Sequence, residues 1–129
     1  MDNSYTYSIA YGDSFVRLTT SGNFDYLIAL EMWKKVIATC EENNCFRILA
    51  ISNIDRPLPA ADVFNSADFF ASVGLNEKYR LAVVAKNTDV HESHQIAALA
   101  LKNKTAGALF PAAAFESEWE ARHWLQEEA

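Results

Sequence analysis

The chain of 129 residues carries a formal charge of −6, and half of its residues are hydrophobic, 12% of the total being aromatic. That length predicts one domain over residues 1–129, able to bury roughly two thirds of the surface its unfolded form exposes, and the composition is that of a folded globule rather than a disordered segment. A negative balance without clustered Lys and Arg excludes sequence-independent affinity for phosphate backbones or anionic lipid, so neither nucleic acid nor a membrane is expected as a partner. Met1-Asp2-Asn3-Ser4 has neither the basic stretch nor the apolar core of a secretory signal, and no apolar run approaches the roughly 18 residues of a spanning helix. A cytoplasmic location is expected.

Tyr5, Tyr7, Ile9 and Tyr11 alternate with Thr6, Ser8 and Ala10, the period of a strand with one face packed, here an edge strand. Gly12-Asp13 then predicts a tight hairpin, with Gly at positive φ, into Phe15-Val16-Arg17-Leu18-Thr19. Asn23 is the expected N-cap of a first helix with Asp25 in its first turn, and Leu27, Leu30, Trp33, Ile37 and Cys40 form its apolar stripe. Phe46 to Ser52 is apolar on both alternations, as in a strand covered on both faces. After the turn Ser52-Asn53-Ile54-Asp55-Arg56-Pro57-Leu58-Pro59, a second helix carries Val63, Phe64, Ala67, Phe70 and Val73 on its core side and ends near Gly74. Phe69 and Leu75 fall off that stripe.

Tyr79 to Ala85 is a second doubly covered strand. Thr88-Asp89 caps a helix through Ile96, Ala97, Leu99, Ala100 and Lys102, with Lys102 and Lys104 suiting its C-terminus. A short strand, Ala108-Leu109-Phe110, precedes a final helix from Phe115 to Glu127 that carries Trp119, Ala121, Trp124 and Leu125, with Ser117 or Glu116 near its cap. The order β-β-α-β-α-β-α-β-α predicts an α/β fold: a single, mostly parallel five-stranded sheet with an antiparallel N-terminal edge strand and four helices.

Chemistry is sparse. Cys40 and Cys45 read as thiols rather than a disulfide, because a chain without an export signal is expected in a reducing compartment. His91, Glu92 and His94 are the only cluster of ligand-type side chains, but His-x-x-His is not the His-Glu-x-x-His pattern in which ligands four apart flank a general base, and a solvated first helical turn is expected instead of a metal. His123 reads as a surface residue. No Ser-His-Asp or Cys-His set can be assembled, so no catalytic residue and no cofactor is expected.

Three segments carry a family resemblance: Phe46-Arg47-Ile48-Leu49-Ala50-Ile51, Tyr79-Arg80-Leu81-Ala82-Val83-Val84, and Ala108-Leu109-Phe110 followed by Glu118-Trp119-Glu120-Ala121-Arg122-His123-Trp124-Leu125. With the element order, they resemble the SpoIIAA-like proteins of the STAS superfamily, whose fold is shared distantly with the lipid-exchanging CRAL-TRIO domains. The resemblance implies a bacterial, non-enzymatic regulatory domain. Such regulators carry an Asp-Ser-Ser-Gly type turn after the central strand, where a phosphoserine beside a helix N-terminus adds up to about two negative charges. Here Asp55-Arg56-Pro57-Leu58 lies on that turn, keeping the aspartate and losing both serines and the glycine, so the phosphoserine switch does not carry over.

The expected function is binding of a protein partner, or self-association as a homodimer, through Ser52, Ile54, Asp55, Arg56, Leu58, Phe69 and Leu75, the polar and apolar residues in and near the turn and the second helix. Adjacent charges such as Asp55 and Arg56 also suit an ordinary solvated loop. The alternative, implied by the likeness to CRAL-TRIO domains, is a carrier of a small apolar or lipid-like ligand.

Overall fold

The computed structural model describes residues 4–102 and 110–127. Strands β1 (Thr6–Gly12), β2 (Phe15–Gly22), β3 (Arg47–Ile54), β4 (Arg80–Val84) and β5 (Ala112–Phe115) alternate with helices α1 (Tyr26–Asn43), α2 (Ala60–Phe64), α3 (Ser66–Val73), α4 (Thr88–Lys102) and α5 (Glu118–Gln126). The strands form one sheet in the order β1-β2-β3-β4-β5. The β1–β2 pair is antiparallel and the three other pairings are parallel. This is the expected α/β architecture, with the doubly covered β3 at its centre.

The strand order decides where the helices go. Each of the three crossovers, through α1, through α2 and α3, and through α4, moves one strand further in the same direction, and a right-handed crossover then puts every one of them on the same face. That face buries Leu18, Ile48, Ala50 and Leu81 against Met32, Trp33 and Val36 of α1 and Val90 of α4. α5 follows the last strand, has no crossover to complete, and covers the opposite face, where Ala121 and Leu125 pack on Phe15, Leu49, Ala82 and Val84.

Two arginines fasten α5. Arg17 of β2 donates to both carboxylate oxygens of Glu118, at 3.2 and 2.8 Å, and that guanidinium holds the Glu118 carboxyl below the ordinary carboxylate range. Arg80 of β4 donates through Nε and Nη2 to the Trp124 carbonyl at 3.1 and 2.8 Å, while its guanidinium lies 3.8 Å from the Trp124 ring centroid. Lysine has no planar fork with which to do both.

Several local expectations are corrected. Positive φ falls on Asp13 (54°) and Ser14 (69°), the two central positions of a type I′ hairpin, and Gly12 simply ends β1. Asp25, not Asn23, caps α1, accepting from the Ile28 amide at 3.1 Å. The α1 stripe holds at Trp33, Ile37 and Cys40, which are buried, and widens to Ala29, Met32 and Val36, while Leu27 is 74% exposed and falls off it. The expected second helix divides at Asn65 into α2 and α3, making five helices among the described residues. Asn65 has φ −95° and ψ 9°, and its side chain makes no capping bond. Val63, Phe64 and Ala67 lie outside the residues whose side chains are described. Asn87, rather than Thr88 or Asp89, caps α4, its side-chain oxygen accepting from the amides of Asp89 and Val90. The last strand is Ala112–Phe115; Ala108 and Leu109, expected to form it, lie outside the described residues, as does Lys104. α5 starts at Glu118 with Ser117 as its cap, and Trp119 is 68% exposed.

Leu75 is 2% exposed, against the expectation that it is hard to hide. Gly74 takes φ 107° after α3, and the Leu75 amide reaches back to the Phe70 carbonyl at 3.0 Å. That six-to-one closure is a Schellman ending, which turns the next apolar side chain back against its own helix. Leu75→Ala is accordingly expected to lower the unfolding free energy by about 2–5 kcal/mol, whereas Leu27→Ala, on the exposed side of α1, changes it by less than about 0.5 kcal/mol. Urea melts of the two variants check this; equal losses would contradict the assignment.

Candidate functional site

At the carboxyl end of β3 the chain leaves the sheet by a turn held at both ends. The Asp55 amide donates to the Gly22 carbonyl at 3.0 Å, and the Leu58 amide donates to Ser93 Oγ of α4 at 3.3 Å. Between these anchors Asp55, Arg56 and Pro57 are exposed.

Beneath the turn, between the sheet and its helices, is a cavity of about 530 Å³. Its origin is a mismatch of side-chain size. Ala50 and Ser52 of β3, Ala112 of β5, and Ala97 and Ala98 of α4 present small groups to it. The facing wall is a chain of edge-to-face aromatic pairs, Tyr26–Phe69, Phe69–Phe70 and Phe70–Trp33, with centroids 5.0–5.5 Å apart, and Phe70 is backed in turn by Phe110 at 5.6 Å. Rings locked on one another in this geometry cannot fold down onto the alanines without giving up those contacts. The exposed lining residues Asn65, Asp68 and Ser72 mark the side where the cavity reaches solvent.

One polar contact inside is a pair 42 residues apart in sequence: His94 Nε2 lies 2.9 Å from Ser52 Oγ. Both line the cavity. Burial, and secondarily the neighbouring His91, push the His94 imidazole down to about 4. It is therefore neutral at ordinary pH. His91 is buried as well, but points elsewhere: its Nε2 lies 4.0 Å from Glu116 Oε1, and its Nδ1 has no hydrogen-bond partner among the described residues. The expectation of a solvated first helical turn is thus overturned for both histidines, because Val90 is a core residue that draws this side of α4 onto the sheet. Among the described residues no group of three or more His, Cys, Asp or Glu side chains is placed to hold a metal ion.

The structure separates the residues singled out from the sequence. Ser52, Ile54, Leu58 and Phe69 line the cavity. Ile54 is buried, Leu58 and Phe69 are half-buried, and Asp55 and Arg56 stand on the exposed turn above. Leu75 is sealed in the core, outside the lining. Sequence reasoning missed Trp33, Phe70, Ala97 and His94 as neighbours of one space. A signal for His94 was present: Val90, His94 and Ala97 are spaced four and three apart, so a histidine occupies an apolar slot of a helical stripe. Cys40 and Cys45 are both free thiols, and burial pushes the Cys40 thiol up to about 12, which keeps it protonated. No helix among the described residues is long and apolar enough to cross a membrane.

The folded state holds His94 neutral down to about pH 4, whereas an unfolded histidine takes up its proton near 6.5. The corresponding stability is complete above about pH 6.5 and is lost as pH falls towards about 4, reaching about 3 kcal/mol. Urea melts between these limits are expected to show that loss in the native protein and a clearly smaller one in His94→Gln. An unchanged pH dependence in the variant would contradict it.

No protein-family model matches the sequence, and no curated protein is similar to it. Among solved structures the chain is similar to an anti-sigma factor antagonist from Mycobacterium paratuberculosis, with a TM-score of 0.62 and 16% sequence identity over 97% of each chain. Agreement over nearly the whole of both chains at so low an identity is agreement of architecture, and with the sheet order and the single opposed α5 it establishes that this chain has the STAS-like α/β fold.

Proposed function

We propose that this chain is a non-enzymatic, STAS-like regulatory domain that works by binding a protein partner through the β3–α2 turn and the adjoining surface of α2 and α3. The observation that carries this is the turn itself. Asp55, Arg56 and Pro57 stand exposed at the carboxyl end of the central strand, yet the backbone on either side is tied to Gly22 and Ser93. A pre-ordered loop gives up little conformational freedom on binding, so more of each contact appears as affinity. The solved anti-sigma factor antagonist of the same fold supports a regulatory role. The cytoplasm is the compartment that suits such a role and two free thiols.

The interaction does not depend on a phosphoserine. Arg56, Pro57 and Leu58 take the turn positions where a modified serine would stand, and Ser52 is 8% exposed with its hydroxyl against His94. A second reading, binding of a small apolar ligand, is favoured by one specific observation, the cavity of about 530 Å³ beneath this turn.

A photo-crosslinking side chain placed at Asp55 or Arg56 in the native cells is expected to capture a specific protein, or a second copy of the chain. The same group at Lys34, exposed on α1, captures neither. Capture from Lys34 alone would place the partner elsewhere. Phosphate mapping of protein from those cells is expected to leave Ser52 unmodified, and a phosphate found there would overturn the switch-free account.

A further inference from the structure

We propose that the cavity over the carboxyl end of β3 is a site for a mostly apolar small molecule that carries no negative charge and has a hydroxyl, which Ser52 and His94 recognise. The proposal rests on the ligand reading given above and names the ligand's class. The cavity, at about 530 Å³, lies within the roughly 300–1,000 Å³ of small-molecule sites, which are mostly apolar with a few placed polar groups.

The hydroxyl follows from hydrogen-bond capacity at Ser52. A serine hydroxyl has one donor and two acceptor sites, and a neutral imidazole has one of each. Ser52 Oγ and His94 Nε2 are 2.9 Å apart, so each already uses the other. In one tautomer His94 donates to Ser52 and leaves the serine O–H to give; in the other Ser52 donates and keeps its lone pairs. Either way Ser52 retains capacity for one further partner, and a ligand hydroxyl, which both donates and accepts, fits both cases, whereas a carbonyl oxygen fits only the first.

The absence of negative charge follows from the walls. No Lys or Arg is among the described residues lining the cavity, and Asp62 and Asp68 add acidic groups to it. His94 is held neutral by its burial. A carboxylate or phosphate buried there would leave water without a cation to meet it. This separates the proposed ligand from fatty acids and phospholipid headgroups, although their chains would fit.

The probes are decane, decanol and decanoate, titrated calorimetrically into the full chain at about pH 7, where decanoate is charged. Decanol is expected to bind at least about tenfold more tightly than decanoate, a difference of about 1.4 kcal/mol. Ser52→Ala is expected to weaken decanol about tenfold while leaving decane unchanged, a split that general loosening of the fold would not produce. Ala98→Phe, at a half-buried position of α4, fills the space and is expected to abolish binding of every probe with the melting transition retained. Equal or tighter binding of decanoate, or a Ser52→Ala variant that loses decane and decanol together, overturns the class assignment and leaves the ligand reading standing. If none of the three binds, or Ala98→Phe binds decanol as before, both fail.

Discussion

Everything distinctive about this molecule depends on a strand order that never reverses. Because β2, β3, β4 and β5 are added one after another in one direction, right-handed crossovers place α1, α2, α3 and α4 in a single layer. The opposite face is left to α5, which is held by an ion pair and by a guanidinium stacked on its own helix end. The crowded face must accommodate helices of different reach above strands of differing bulk. Where alanines and a serine lie opposite a run of linked aromatic rings, the two surfaces do not close, and a cavity results. Protein interiors are otherwise packed as densely as organic crystals, so a space of this size calls for an explanation.

The same layering ties the cavity to the exposed turn. β3 ends directly beneath it, and α4 supplies both the Ser93 hydroxyl that holds the turn and the His94 ring that meets Ser52. Ligand contact at Ser52 and partner contact at Asp55 would therefore act on one short segment of chain. Whatever binds below biases what can bind above only to the extent that the two prefer different positions of that segment.

Much of the architecture was legible from local pattern. The apolar character of β3 on both alternations, the turn before α2 and the Trp-Leu ending of α5 are statements about neighbours a few residues apart. The resemblance they carry led to the right fold. Element boundaries were not legible where a cap chose between equivalent residues: Asn23 and Asp25 are both competent caps, and only the packing of Met32 and Val36 selects the second. Ala112–Phe115 gave little sign of being a strand, since alanine carries no strand preference and its place is set by pairing with β4. Leu75 looked exposed because helical periodicity stops at Gly74, whereas a Schellman ending reverses the chain. The candidate site was the least legible part. Ser52 and His94 come together across 42 residues of sequence, and a cavity is a property of what facing residues fail to fill, which no single segment records.

The cavity is thus the claim on which the ligand reading stands, and it can be tested without knowing any ligand. The apolar part of this cavity, between the small side chains and the aromatic rings, is a surface of the kind that takes up xenon. A crystal of the protein pressurised with xenon is expected to show bound xenon between Ala50, Trp33, Phe70 and Ala97, with the aromatic chain unmoved. A crystal in which Phe69 and Phe70 have closed onto the sheet, or in which ordered water fills the space and xenon binds nowhere within it, would contradict the account.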